Sequence, residues 1–226
     1  MNLLHLTKRY ENHTVFHDFS LEIHDGEILC ILGASGVGKT TLLNILAGLT
    51  SYEGTITEAC QRVSYIFQEP RLLPALTVLQ NLTYVGMTKE QAVQILQETE
   101  LLSLARKRPA ELSGGERQRV SIARAFGTPF DILLLDEPFS CLDIGLKVRL
   151  IEGFAGLWNK VNTDKKHTAV FVTHTVEEAY MLADRIIILK DGKIIFEKQI
   201  FRENFPSAYG FYPECHEEIR QLLLET

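Results

Sequence analysis

The chain has 226 residues, 46% of them hydrophobic and 23% charged, with a formal net charge of −6 at pH 7. That length can bury a sizeable core without metals or disulfides, and the acidic balance gives no bulk electrostatic reason to expect a nucleic-acid binder. No apolar run approaches the roughly 18–20 residues that cross a bilayer. The opening stretch, residues 1–6, lacks the basic-then-apolar layout of a signal peptide, so none is expected. Cys30, Cys60, Cys141 and Cys215 are scattered with no C-x-x-C pair, which predicts reduced packing thiols in a cytosolic protein.

In chain order, Val15 to Ile23 and Glu27 to Leu32 read as strands around the turn Asp25-Gly26. The second runs into Gly33-Ala34-Ser35-Gly36-Val37-Gly38-Lys39-Thr40, a complete G-x-x-x-x-G-K-[ST] phosphate loop. Lys39 to Ala47 reads as the helix behind it, closed by Gly48. Glycines in such a loop let successive N–H groups point at phosphate oxygens, and the helix start adds its positive dipole end. Lys39 is expected to reach the β- and γ-phosphates, with the Thr40 hydroxyl on Mg²⁺.

Thr55–Glu58 and Val63–Phe67 read as further strands, the first preceded by a tight turn at Tyr52-Glu53-Gly54. From Gln68 the composition changes. Pro70 and Pro74 precede a helical pattern that lasts to about residue 127, in which Thr77-x-x-Gln80 and Thr88-x-x-Gln91 look like capping boxes. Ser113-Gly114-Gly115-Glu116 is a third box of the same form. Its geometry also presents a hydroxyl, glycine N–H groups and a helix dipole to an anion.

The alternation of strand and helix resumes with Ile132–Leu135, which ends in Asp136-Glu137. An apolar run closed by two acids fits a buried strand leaving the core. Behind a phosphate loop it also places Asp136 in a Mg²⁺ shell and Glu137 at the attacking water as general base, a role worth about 10²–10⁴ in rate. A helix from Ile144 to Lys160, a strand Thr168–Thr173 and a box Thr175-x-x-Glu178 follow. Arg185–Leu189 and Lys193–Phe196 straddle the hairpin signal Asp191-Gly192, and a helix from Pro213 to Leu224 ends the chain.

The phosphate loop, Leu112-Ser113-Gly114-Gly115-Glu116-Arg117-Gln118-Arg119 and the strand ending in Asp136-Glu137 together resemble the ATP-binding cassette (ABC) family along nearly the whole chain. The resemblance implies an α/β fold: a P-loop NTPase core with a mostly parallel sheet, an antiparallel β subdomain and an inserted α-helical subdomain. It implies one cassette over residues 1–226, with the core at 1–67 and 130–226 and the helical part at about 68–129. ATP and Mg²⁺ are the implied substrate and cofactor, with Thr41 completing the loop and Thr40, Gln68 and Asp136 at the metal. The Ser113–Gly115 segment and Asp143 would close over ATP held by a second chain, another copy or a paired ABC ATPase, head to tail. Tyr10 would stack on adenine, Gln68 would sense Mg²⁺ and the attacking water, and His174 would contact the γ-phosphate. A lone tyrosine and a histidine at a strand end also fit plain packing roles.

Tyr65-Ile66-Phe67-Gln68-Glu69-Pro70-Arg71-Leu72-Leu73-Pro74-Ala75-Leu76-Thr77-Val78 resembles the nitrate/sulfonate/taurine branch of importers. That branch implies a transmembrane permease, a solute-binding protein, no nucleic acid, and a place on the inner face of the cell membrane. The alternatives are a non-transport ABC ATPase, for example in iron–sulfur assembly, and an exporter subunit. A phosphate-loop kinase would leave Ser113–Glu116 without an anion. Three departures from the family pattern are Cys141 where alanine is commoner, Thr175 where an acid is commoner, and a compact stretch from Gln68 to Ser113.

Overall fold

The computed structural model describes residues 1–11, 13–58, 60, 62–140, 142–163, 167–201, 204–210 and 215–224. Its elements are β1 (Asn2–Tyr10), β2 (His13–Glu22), β3 (Ile28–Leu32), α1 (Lys39–Leu46), β4 (Glu53–Thr57), β5 (Val63–Ile66), α2 (Val78–Tyr84) and α3 (Lys89–Glu98). Then come α4 (Gly114–Phe126), β6 (Ile132–Asp136), α5 (Ile144–Val161), β7 (Thr168–Thr173), α6 (Val176–Leu182), β8 (Arg185–Lys190), β9 (Lys193–Gln199) and α7 (His216–Leu224).

A six-stranded sheet in the order β5-β6-β7-β3-β8-β9 forms the centre, parallel from β5 to β8 and antiparallel at the β8–β9 hairpin. Both faces are covered, which is why its central strands read as unbroken apolar runs rather than alternating ones. Cys30, Leu133, Phe171 and Ile188 point into one cluster with α4, α5, α6 and α7. Leu29, Leu134, Val170 and Ile187 point to the other face, against α1 and a separate antiparallel sheet of order β2-β1-β4. A third cluster, built on Val78, Leu82, Ala92, Leu96, Leu112, Val120 and Ala123, lies within the helical stretch. Helix α4 belongs to two clusters: Val120 and Ala123 face the third, while Ile122, Ala125 and Phe126 face the main one. Its C-terminal half is therefore held from both sides.

Three differences from the sequence expectations have physical causes. Strand β1 has no counterpart among them. Its buried positions are Leu3, Leu6 and Lys8, because register shifts break the period of two, and His5 and Asp18 sit at positive φ where Nδ1 and Oδ1 meet at 2.6 Å. Glu53 and Gly54, expected in a turn, lie inside β4. A Cβ on Gly54 would come 2.6 Å from the His5 carbonyl oxygen, so this glycine serves a close approach of two strands. The boxes at Thr77 and Thr88 form, but that at Thr175 does not: its side chain caps nothing, and Glu178 turns inward. Pro213 lies outside the described residues, and α7 is seen from His216.

Candidate active site

Parallel order turns separated motifs into neighbours. The loop after β3, the acids closing β6, His174 after β7 and Gln68 just past β5 all emerge at the carboxyl edge of adjacent strands, where open α/β sheets bind ligands. A cleft of about 530 Å³ is lined there by Ser35, Gly36, Gly38, Lys39, Thr40, Thr41, Gln68, Glu137 and His174.

The loop conformation depends on Gly33, whose φ is +154°. A Cβ there would stand 2.5 Å from the Leu189 carbonyl oxygen and 3.1 Å from Val37 Cγ2. Lys39 is buried, and its Nζ donates to the carbonyls of Gly33 at 2.7 Å and Ala34 at 2.8 Å. Burial pulls its pKa down, opposed by the charges of Glu137 and Asp136. No side chain caps α1, so its first-turn N–H groups are open to an anion.

Thr40 Oγ1 donates to Asp136 Oδ1 at 3.0 Å. Asp136 is 5% exposed, and burial pushes its pKa up, aided by Glu137 and opposed by the Thr40 bond and Lys39. Glu137 follows at φ 44°, a left-handed conformation that costs energy in a non-glycine residue. Its Oε2 accepts from Gln68 Nε2 at 3.3 Å and lies 3.3 Å from His174 Nδ1. Two groups from two other strand ends therefore orient one carboxylate.

The other expected site residues stand apart from this cleft. Ser113 caps α4 in a complete box, donating from its N to Glu116 Oε2 at 2.7 Å, and this bond holds the Glu116 carboxyl below its usual range. Gly115 is buried towards Leu146 of α5. Gly114 lines an adjoining cleft of about 570 Å³ with Thr40, Gln68, Asp136 and Glu137. Asp143 caps α5, accepting from Leu146 N at 3.0 Å, and is exposed, as is Ser113. Tyr10 is 45% exposed, with the Lys8 ammonium 4.5 Å over its ring, and does not line the cleft. Cys141 lies outside the described residues.

Two supporting contacts, made by Tyr65 with Asn44 and by Gln118, escaped the sequence reading. The Tyr65 hydroxyl donates to Asn44 Oδ1 at 3.2 Å, and burial, with Asp136 beside it, raises its pKa far above the ordinary range. Asn44 follows Thr40 by four residues, a spacing that places both on one helix face. Gln118 Nε2 donates to the Pro138 carbonyl at 2.8 Å, joining α4 to the turn after Glu137. No sequence signal marks that contact, because it joins two elements.

Residues 16–140 match the family model for ABC transporters. The aliphatic sulfonates import ATP-binding protein of Granulibacter bethesdensis is 40% identical over 204 residues, covering 88% of this chain and 84% of that protein. Its namesake in Paracoccus denitrificans is 39% identical over 229 residues, covering 98% of this chain and 93% of that protein. Among solved structures, a dimeric ATP-binding cassette in a post-hydrolysis state with ADP and phosphate superposes with a TM-score of 0.75. It is 31% identical and covers 89% of this chain and all of that one.

Proposed function

The chain belongs to the ABC transporter family, and on that premise we propose that it is the ATP-hydrolysing motor of a membrane importer for small organic anions, aliphatic sulfonates being the class to test first. One observation carries the ATPase reading: Lys39, Thr40, Gln68, Glu137 and His174 from four strand ends surround one cleft. The names of the relatives support import over the iron–sulfur and exporter alternatives.

In this reading the loop N–H groups and the start of α1 bind the triphosphate, and Lys39 exchanges its two carbonyl partners for phosphate oxygens. Residues Thr40 and Asp136 suit Mg²⁺, which takes hard oxygen donors and few protein ligands beside substrate phosphates. Among the described residues no cluster of three or more His, Cys, Asp or Glu offers an all-protein cage. When bound, the ion neutralises charge on the β- and γ-phosphates. Glu137, held by Gln68 and His174, takes the proton of the attacking water as its oxygen bonds to the γ-phosphorus and the bond to ADP breaks.

Ser113, Gly114 and Asp143 serve the ATP of a second copy in a head-to-tail pair, which one two-fold axis makes twice. The exposure of Ser113 and Asp143 outside the Lys39 cleft supports this, and so does the dimeric cassette that the fold resembles. Loss of the γ-phosphate then releases the clamp. The helical stretch, about residues 68–129, has its own apolar cluster. In this reading a separate permease spans the membrane, fed by a solute-binding protein, with this chain on the inner face; no helix of the described residues is itself long and apolar enough to cross a membrane.

Affinity capture of the chain from detergent-solubilised membranes of its native host, followed by mass spectrometry, tests the reading. A permease and a solute-binding protein are expected. Repeated capture of soluble partners alone, with ATPase activity intact, would move the assignment to a non-transport ATPase.

A further inference from the structure

Behind the cleft runs a chain of polar contacts that the hydrolysis scheme does not use. Glu178 on α6 is 1% exposed. Its Oε1 lies 2.6 Å from Lys147 Nζ on α5, and its Oε2 accepts from Thr173 Oγ1 at 2.6 Å. The same hydroxyl accepts from the backbone N of Thr175 at 3.1 Å. Both neighbours of His174 are thus tied to one hydroxyl, while His174 itself projects to solvent with its Nδ1 3.3 Å from Glu137 Oε2. At the other end, Lys147 N donates to the Asp143 carbonyl at 2.9 Å, closing the first turn of α5.

A buried ion pair adds little net stability over apolar residues of the same volume. Its yield here is orientation: it fixes α5 against α6, and so the Asp143 turn against the His174 turn. We propose that Lys147, Glu178 and Thr173 are positioning residues that hold His174 at Glu137 and make this contact respond to the exposed Asp143 turn; the inference rests on the ATPase reading above. A second copy pressing on that turn would move the first turn of α5, and through Lys147–Glu178 the displacement would reach His174.

Lys147→Met, Lys147→Arg and Thr173→Val test the relay. Misplacing a catalytic group by about 1 Å can cost as much as 10²-fold in rate. We expect kcat to fall about tenfold or more in Lys147→Met and Thr173→Val, with KM for MgATP within about twofold of wild type. Lys147→Arg should stay near wild type, because it keeps a cation for Glu178. If Lys147→Met fails to fold around its unpaired carboxylate, Thr173→Val carries the test, since it leaves the ion pair intact. The His174 ring cross-peak in NMR supplies a readout independent of turnover and should move in Thr173→Val but not in Lys147→Arg. A folded Thr173→Val with wild-type kcat, or a loss of kcat with that cross-peak unmoved, would overturn the relay. A wild-type protein without MgATP hydrolysis would overturn the ATPase reading instead, while the cross-peak would still report on the relay.

Discussion

Asp136 carries the sharpest conflict between folding and function. Burial raises its pKa, so between the ordinary aspartate value and the raised one the folded state binds more protons than the unfolded state. Stability attributable to this group is therefore fully present below that window and is lost as pH rises through it. Asp136→Asn should consequently raise Tm in nucleotide- and magnesium-free buffer, by about 2–4 °C for each kcal/mol relieved, and by more at pH 8 than at pH 4. The same change should abolish hydrolysis. A lowered Tm at pH 8 would contradict this account. Lys39→Ala is expected to weaken ATP binding, measured by calorimetry; unchanged affinity would remove Lys39 from the phosphate site. The roles proposed for Lys39, Thr40, Asp136 and Glu137 were open to sequence reasoning because spacing along one short segment is enough to define each motif. The support from Asn44, Tyr65 and Gln118 was not, because each of those contacts is made across the fold.

Capping boxes allow structure and chemistry to be separated at the level of the helix. Thr88 and Ser113 cap α3 and α4 with the same bonding pattern. Thr88→Ala and Ser113→Ala should each cost about 1 kcal/mol of stability for the lost cap. Only Ser113→Ala should also depress ATPase activity, by far more than that loss explains. Equal activity in the two variants would reduce Ser113 to a cap. The helices were legible because capping, turn residues and the 3.6-residue period are local. Strand β1 was not, since its bulges destroy the alternation that marks a strand, and its pairing with β2 and β4 is tertiary. The failed box at Thr175 has the same cause: Glu178 satisfies the local pattern, yet Lys147 and Thr173 offer its carboxylate a buried site.

At the scale of the whole molecule, the exposed Ser113 and Asp143 are expected to meet a second cassette. Glu137→Gln should bind MgATP, stall before turnover and elute as a dimer in size-exclusion chromatography. A monomer at saturating MgATP would count heavily against the head-to-tail clamp. By itself the chain determined its class, its phosphate loop, its terminal acids and most of its helices, because glycine spacing, apolar periodicity and caps act over a few residues. Tertiary structure alone decided that Gln68, Glu137 and His174 meet, that Tyr10 stands outside the cleft under Lys8, and that Glu178 is buried behind His174. Those outcomes depend on strand order and on which side chain wins a buried partner. Both are set by the free energy of packing elements that lie far apart in the chain.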